Sequence, residues 1–205
     1  IKKYKTFKNI NIIGMGGSSL GTKAIYNFLK SKIKKRITFS ENINLKKENK
    51  FKKLNIIISK SGSTLETIVN LNTQINKTDK NIFITENTNN YLRKLANKLK
   101  SEVIDHKNFI GGRFSVLSEV GMLPAQLMGL KDTKFKKFNE LIKKKNFIDS
   151  LIHNTLSSYQ LVKLKKFNSI ILNYDVNSED LFKWYQQLVS ESLGKNSKGI
   201  LPVIS

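Results

Sequence analysis

Cysteine is absent from this sequence of 205 residues, and histidine occurs only twice, as His106 and His153. The lack of cysteine excludes disulfide bonds, thiolate metal sites and cysteine nucleophiles within the chain. Two histidines are too few for a metal site that uses several imidazoles. No apolar run approaches the roughly 20 residues that a membrane helix needs, and the first residues lack the apolar stretch of a signal peptide. The sequence therefore predicts no metal, no disulfide and no membrane partner.

Acidic residues are also few: 15 stand against 37 lysines and arginines, which gives a formal net charge of +22. Such a balance is typical of nucleic-acid binders. However, only Arg36, Arg93 and Arg113 are arginines, whereas proteins that recognise base edges use arginine for bidentate contacts. The lysines are spread among many asparagines and isoleucines, and the codons of these three residues are rich in A and T. A biased genome therefore explains the excess of lysine at least as well as a nucleic-acid-binding surface does. We predict no dedicated nucleic-acid partner, although the charge favours anionic substrates such as phosphates.

Hydrophobic residues in the first 130 positions alternate between the patterns of strands and helices. Short β-branched runs predict strands, and apolar residues at helical spacing follow them. The predicted strands are residues 9–14, 36–40, 54–59, 81–85 and 103–105. Four helices are predicted: the first begins at residue 18 or 19, and the others cover residues 64–75, 89–100 and 117–130. This alternation predicts an α/β fold, a parallel sheet flanked by helices on both faces. Right-handed crossovers place the carboxyl ends of the strands at one edge, where ligands bind in such sheets.

The last third of the sequence has a different organisation. Residues 131–146 are polar and rich in lysine, as expected of a connection between domains. Beyond them, residues 169–174 predict a strand and residues 178–192 a helix, which together cannot bury their own apolar faces. The predicted division is a first domain at 1–132, a linker or helical connection at 133–146, and the amino-terminal part of a second, similar domain at 147–205.

A glycine-rich segment, Gly14-Met15-Gly16-Gly17-Ser18-Ser19-Leu20-Gly21, directly follows the first predicted strand. Glycines let a backbone approach an anion closely, and the start of the next helix offers free N–H groups. The dinucleotide fingerprint needs glycine where Ser19 stands and an acidic residue about 20 positions on, where Lys34, Lys35 and Arg36 lie. The segment therefore disfavours a nicotinamide site and leaves two interpretations, an anion-binding turn or a simple tight turn.

A second segment, Ser59-Lys60-Ser61-Gly62-Ser63-Thr64-Leu65-Glu66-Thr67, also follows a predicted strand and is called the hydroxyl segment below. Hydroxyls and free N–H groups at the start of a helix suit a phosphate dianion. Ser63 and Glu66 also have the spacing of a capping box, which would only start the helix. A cap needs a single hydroxyl and several others remain, so the pattern favours a phosphate site.

A third segment, Gly111-Gly112-Arg113-Phe114-Ser115, places one of the three arginines between two glycines and an aromatic residue. A planar and permanently charged guanidinium can hold a developing oxyanion. The alternative is structural, with Arg113 packing the loop or pairing with Glu119. Spacing alone does not decide between these interpretations.

A fourth segment, residues 184–195, has the pattern of an amphipathic helix. Gln187 and Glu191 are four residues apart and therefore lie on one helical face, beside an apolar stripe. A partly buried carboxylate at the end of such a helix can act as a base. Periodicity alone favours the other interpretation, in which Glu191 is an ordinary surface residue.

In this order and at about these distances, the four segments together closely resemble the phosphoglucose (glucose-6-phosphate) isomerase family of the bacterial type. The resemblance spans nearly the whole chain. The family has two flavodoxin-like sugar-isomerase domains and interconverts glucose 6-phosphate and fructose 6-phosphate through a cis-enediol, without a metal or organic cofactor. The resemblance therefore implies a cytoplasmic enzyme of glycolysis and gluconeogenesis that takes a small-molecule sugar phosphate and forms a homodimer.

The resemblance also implies roles for individual residues. Arg113 would stabilise the cis-enediolate, and Glu191 would move the proton between C1 and C2. The substrate and its phosphate would be held by Gly17, Ser18, Ser59, Lys60, Ser61, Thr64, Thr67 and Gln187. A non-catalytic sugar-phosphate-binding regulatory domain is the alternative, and it would need no proton-transfer base.

The sequence departs from the family pattern in two respects. Ser61 stands where the family usually has threonine, a change that keeps the hydroxyl. The family's ring-opening histidine and a carboxyl-terminal catalytic lysine lie downstream of the matching region, and neither His106 nor His153 matches that histidine. We therefore interpret the chain as an internal fragment and expect it to be inactive on its own.

Overall fold

The computed structural model describes residues 2–43, 52–76, 78–135, 137–196 and 198–205, and its largest element is a sheet of five parallel strands. The strands are β1 (Asn9–Ile13), β2 (Arg36–Ser40), β3 (Leu54–Ile58), β4 (Lys80–Glu86) and β5 (Glu102–His106). They lie in the order β2-β1-β3-β4-β5, and every pair is parallel. This is the flavodoxin-like strand order. The predicted α/β fold class is confirmed, and each strand is found within about one residue of its predicted bounds.

Four helices cover the two faces of this sheet: α1 (Leu20–Phe28), α2 (Leu65–Gln74), α3 (Tyr91–Lys98) and α4 (Glu119–Leu127). Successive side chains of a strand point to opposite faces, so the core is divided into two clusters. Ile12 of β1 is fully buried in the cluster that includes side chains of α1 and α4, whereas Ile13 is fully buried among side chains of α2 and α3. The central strands have continuous apolar runs because both of their faces are buried.

The chain beyond α4 is mostly helical and ends with a second small sheet. Its elements are α5 (Asp132–Phe135), α6 (Phe138–Leu141), α7 (Lys145–Lys163), β6 (Asn168–Ile171), α8 (Glu179–Leu193) and β7 (Leu201–Ile204). β6 and β7 pair in parallel. The sequence predicted β6 and α8 but neither α7 nor β7, and the domain division at 1–132, 133–146 and 147–205 stays a prediction. Within the described ranges, no helix combines the length and the apolar character needed to cross a membrane.

Polar contacts hold α8 against α1, although the two helices are far apart in sequence. Asp180, near the start of α8, is buried and accepts a hydrogen bond from Asn27 Nδ2 of α1. Lys23 Nζ of α1 lies 3.6 Å from Asp180 Oδ1 and 2.8 Å from Glu41 Oε2. This docking carries the far end of α8 to the carboxyl edge of the five-stranded sheet.

Candidate active site

A cleft of about 370 Å³ at the carboxyl edge of the sheet contains residues from all four segments that the sequence singled out. Its lining residues are Met15, Gly17, Ser18, Lys60, Ser61, Thr64, Glu86, Gly112, Arg113, Gln187 and Glu191. Eight of the ten predicted site residues are in this set, and the exceptions are Ser59 and Thr67. The fold therefore brings the four segments together at the sheet edge where ligands bind in open parallel sheets.

A larger cleft, of about 1090 Å³, lies at the opposite, amino-terminal edge of the sheet and contains none of the four segments. Its carboxylate Glu102 already has partners: it accepts a hydrogen bond from Tyr4 Oη at 3.0 Å and is 2.8 Å from Lys3 Nζ. The lysine and the tyrosine hydroxyl lower the pKa of Glu102 below its ordinary value. Size alone would favour this cleft, but the groups suited to sugar-phosphate chemistry lie in the smaller one.

The glycine-rich segment forms a tight turn that touches the loop of Arg113. Gly16 has a φ of +56°, which residues with a side chain rarely adopt. A Cβ atom on Gly17 would lie only 2.3 Å from the carbonyl carbon of Gly112. Ser115 Oγ donates a hydrogen bond to the Gly17 carbonyl at 3.2 Å. The glycines therefore permit this close contact, and binding of an anion by the turn stays a prediction.

The hydroxyl segment does not form the capping box that its spacing allows. Thr64, not Ser63, is the N-cap of α2, and its side chain makes no hydrogen bond to the helix backbone. Thr64 Oγ1 instead lies 2.8 Å from Ser59 Oγ, which accepts the Gly62 N–H at 3.2 Å. Ser63 Oγ donates to Ser61 Oγ at 3.0 Å. Most of these hydroxyls thus form hydrogen bonds with one another. None of them caps the first turn of α2.

Ser59 and Thr67 lie behind the cleft wall, and both are almost fully buried. Thr67 Oγ1 is buried without a hydrogen-bond partner among the described residues. Lys60 does reach the cleft, where its Nζ lies 3.5 Å from Glu86 Oε1. Contact between these residues and a phosphate stays a prediction.

Glu191, in the last turn of α8, has a partner for each carboxylate oxygen. Gln187 Nε2 donates to Oε1 at 2.9 Å, and Arg113 Nη1 lies 3.2 Å from Oε2. The carboxylate is half exposed at the mouth of the cleft. Gln187 and Glu191 therefore share one helical face, as their spacing predicted. The alternative pairing of Arg113 with Glu119 is not found, because the guanidinium pairs with Glu191.

Two further contacts with α8 fix the position of Arg113. Arg113 Nε donates to Ser192 Oγ at 3.1 Å, and Trp184 Nε1 donates to the Arg113 carbonyl at 3.1 Å. The guanidinium also lies over the Phe114 ring, 4.9 Å from its centroid. Trp184 therefore does more than extend an apolar stripe, a role that helical periodicity could not reveal.

Sequence reasoning missed Glu86, which lines the cleft at the end of β4. Its position at the carboxyl end of a predicted strand was the available signal. The sequence assigned no role to His106, yet it is buried and its Nδ1 lies 2.8 Å from Glu119 Oε1. No group of three or more histidine, aspartate or glutamate side chains in the described ranges is arranged to hold a metal ion.

The burial of His106 predicts a pH dependence of stability. Burial lowers the pKa of its imidazole below 6.5, and Lys60 acts in the same direction, whereas Glu119 and Glu86 oppose the shift. Below about pH 6.5 the unfolded chain therefore binds more protons at this histidine than the folded protein does. We expect the free energy of unfolding to decrease as the pH falls from about 6.5, by about 1.4 kcal/mol for each unit of pKa difference.

Urea unfolding at about pH 7.5 and about pH 5.5 measures this effect. The decrease should be smaller in His106→Gln than in the wild type. His153→Gln is the matched control, because His153 is exposed on α7. An identical pH dependence in wild type and His106→Gln would contradict the assignment.

Solved structures with a similar fold include proteins whose names are those of enzymes that act on sugar phosphates. The crystal structure of a hypothetical protein from Thermus thermophilus superposes with a TM-score of 0.81 at 24% identity and covers 100% of this chain and 55% of that one. The tagatose-6-phosphate ketose/aldose isomerase from Escherichia coli gives a TM-score of 0.61 at 14% identity, covering 100% and 58%. At these identities the similarity shows a shared fold.

Sequence relatives give the family. The glucose-6-phosphate isomerase of Methanocaldococcus jannaschii is 33% identical over 227 residues, covering 100% of this chain and 56% of that protein. The glucose-6-phosphate isomerase of Borreliella afzelii is 34% identical over 226 residues, covering 94% and 42%. The chain thus spans about half the length of the curated relatives it matches. A family model described as phosphoglucose isomerase matches residues 2–199, and on this match over nearly its whole length the chain belongs to the phosphoglucose isomerase family.

Proposed function

We propose that the protein interconverts glucose 6-phosphate and fructose 6-phosphate through a cis-enediol intermediate. The observation that carries this proposal is the contact of Glu191 with Arg113 at 3.2 Å, in the same cleft as Ser61 and Thr64. The reaction requires a phosphate anchor, a base beside the carbon chain and a fixed positive charge near the reacting oxygens. The cleft holds a candidate for each requirement.

The phosphate anchor is the hydroxyl segment at the start of α2. The first-turn N–H groups carry the positive end of the helix dipole, which favours an anion. Ser61 and Thr64 line the cleft, and their hydroxyls can turn from their present partners towards phosphate oxygens. Lys60 adds a positive charge on the same side. Together these groups favour a phosphorylated sugar over a neutral one.

The base and the positive charge come from other elements that line the cleft, Glu191 from α8 and Arg113 from the loop before α4. The carboxylate of Glu191 removes the proton from C2 of the open-chain aldose, and the electron pair moves to O1. Arg113 stabilises the resulting enediolate with a charge that is already in place. The proton on O2 moves to O1, and Glu191 returns its proton to C1, which completes the ketose with no gain or loss of atoms.

Gln187 supports a polar ligand in the same place. Its Nε2 is engaged with Glu191, while its buried Oε1 has no hydrogen-bond partner among the residues that the structure describes. A sugar hydroxyl donating to this oxygen would satisfy it. A regulatory domain that only binds sugar phosphates would need the phosphate anchor but not the contact of a carboxylate with a guanidinium. The homodimer stays a prediction, as does inactivity of the 205-residue chain alone.

Thr64→Ala tests the phosphate anchor in the product of the complete reading frame. Hydrogen bonds to charged groups contribute about 1.5–3 kcal/mol, so we expect the KM for fructose 6-phosphate to rise about 10- to 100-fold. The kcat should change less, because Thr64 contacts the phosphate throughout the reaction. Steady-state isomerase kinetics measure both constants.

Thr133→Ala is the matched control, since Thr133 is exposed on α5. Glucose and fructose without phosphate should be very poor substrates of the wild type. Equal KM values for glucose and glucose 6-phosphate would exclude the phosphate anchor, and a wild type without isomerase activity would exclude the proposed function.

A further inference from the structure

His106 and Glu119 have no part in the proposed chemistry, yet they lie at the two ends of the loop that performs it. His106 is the last residue of β5 and Glu119 is the first residue of α4. Residues 107–118 between them carry Arg113 and are called the Arg113 loop. The His106 Nδ1 atom is 2.8 Å from Glu119 Oε1, and the same oxygen accepts the Lys107 N–H at 3.4 Å.

We propose that His106 and Glu119 form a positioning pair that closes the base of the Arg113 loop and so holds the arginine in place for the reaction. This inference rests on the proposed function, because it assigns the pair a role through Arg113. Neither residue lines the cleft, so neither is expected to touch the substrate.

The Arg113 loop contains a short 3₁₀ helix at Gly112–Leu117, and the backbone that leads into it is permissive. Gly111 and Gly112 lie directly before the arginine, and glycine loses more conformational freedom on ordering than other residues. At its tip the loop is held by Trp184 Nε1 on the Arg113 carbonyl and by Ser115 Oγ on the Gly17 carbonyl. Closing the base leaves these tip contacts only a short segment to order.

A row of charged residues links this base to the hydroxyl segment. Glu86 of β4 and His106 of β5 are direct neighbours in the parallel register, and Lys60 Nζ is 3.5 Å from Glu86 Oε1. Lys60 also donates to the Asn108 carbonyl at 2.7 Å, at the beginning of the Arg113 loop. The charged groups that act on His106 are Glu119, Lys60 and Glu86. The pair thus ends a row that runs from the phosphate side of the cleft to the loop.

Glu119 is not needed as the cap of α4. Ser118 is the N-cap, and its side chain accepts the Val120 N–H at 3.4 Å. A carboxylate in the first helical turn still stabilises a helix modestly through the dipole. Glutamine at this position loses that charge but keeps an oxygen for the Lys107 N–H and for the 2.8 Å contact with His106 Nδ1. Comparing glutamine with alanine therefore separates loop closure from the charge effect.

The test uses Glu119→Ala and Glu119→Gln in the product of the complete reading frame. A misplacement of about 1 Å can cost about 100-fold in rate, so we expect Glu119→Ala to lower kcat about 10- to 100-fold. Its KM for fructose 6-phosphate should stay within about threefold, because the phosphate anchor is intact. Glu119→Gln should recover most of the lost kcat. Glu140→Ala, at an exposed position of α6, is the control and should behave as the wild type.

Hydrogen exchange provides a measurement independent of activity. Amides of residues 107–118 should exchange faster in Glu119→Ala than in Glu119→Gln, while amides of β1 and β3 stay protected in both. A kcat of Glu119→Ala within about twofold of wild type, or an equal kcat loss in both variants, would overturn the proposal. Loss of protection in β1 and β3 as well would also overturn it, since the effect would then be global. A wild type without isomerase activity would refute the proposed function, and exchange would still report on loop closure.

Discussion

Glu191→Gln is expected to lower the kcat for fructose 6-phosphate by about 10²–10⁴-fold, the contribution of a well-positioned general base. Glutamine retains the shape of the side chain and an oxygen for the contact with Arg113, but it cannot accept the C2 proton. Fructose 6-phosphate should still bind, because Ser61 and Thr64 belong to the hydroxyl segment at the start of α2, which the substitution leaves unchanged. Steady-state kinetics and a binding titration with fructose 6-phosphate measure the two effects.

Glu179→Gln is the matched control for this experiment. Glu179 begins the same helix and pairs on the surface with Lys183, and exposed pairs of this kind contribute little to stability. Its kcat should equal that of the wild type. Near-normal turnover by Glu191→Gln would mean that another group is the base, and the assignment of this end of α8 would fail.

Arg113→Gln should lower kcat by about 10²–10³-fold, the cost of removing one donor that stabilises an oxyanion. Arg113→Lys should fall between this variant and the wild type, because an ammonium keeps the charge but lacks the planar fork. The fork matters here since Nη1 contacts Glu191 while Nε donates to Ser192. Steady-state kinetics on fructose 6-phosphate measure the three rates.

Arg36→Gln is a suitable control, because Arg36 is exposed at the start of the edge strand β2. It removes one positive charge from the protein without touching the cleft. An increase of KM at constant kcat in Arg113→Gln would indicate that the arginine binds substrate and transition state equally. That result would exclude its role in stabilising the enediolate.

The five-stranded sheet could be predicted from the sequence because its central strands are buried on both faces and their apolar runs have sharp polar ends. α7 was missed although Ile148, Ile152, Leu156 and Tyr159 recur at helical spacing, and none of its residues is buried in the structure. β7 is a four-residue run that contains Pro202, a residue that strands accept only at edges, first positions or bulges. A weak local pattern therefore explains why β7 was missed.

The site was predictable as a set of segments but not as a set of contacts. Local spacing placed Gln187 beside Glu191, because both lie on one helix. The partner of Arg113 could not be chosen in this way, since Glu119 is six residues away and Glu191 is 78. In the structure Arg113 pairs with Glu191, and Glu119 contacts His106 instead.

The packing of α8 against α1 determines these contacts. Polar side chains hold the two helices together there, and such side chains leave no hydrophobic pattern in the sequence. Asp180 is buried between Lys23 and Asn27, and a buried carboxylate of this kind is held by its charge and hydrogen-bond partners. Sequence periodicity describes apolar faces and is silent about such pairings. The resemblance of the four segments to a known family supplied the expectation that periodicity could not.

Proton transfer by Glu191 between C1 and C2 is tested most directly by incubating glucose 6-phosphate with the protein in deuterated water and following deuterium at C2 by NMR. The wild type should incorporate deuterium at C2, because a carboxylic acid at the half-exposed mouth of the cleft exchanges its proton with solvent. Glu191→Gln should show no incorporation above a sample without protein. Undiminished incorporation by Glu191→Gln would contradict the assignment of Glu191 as the base.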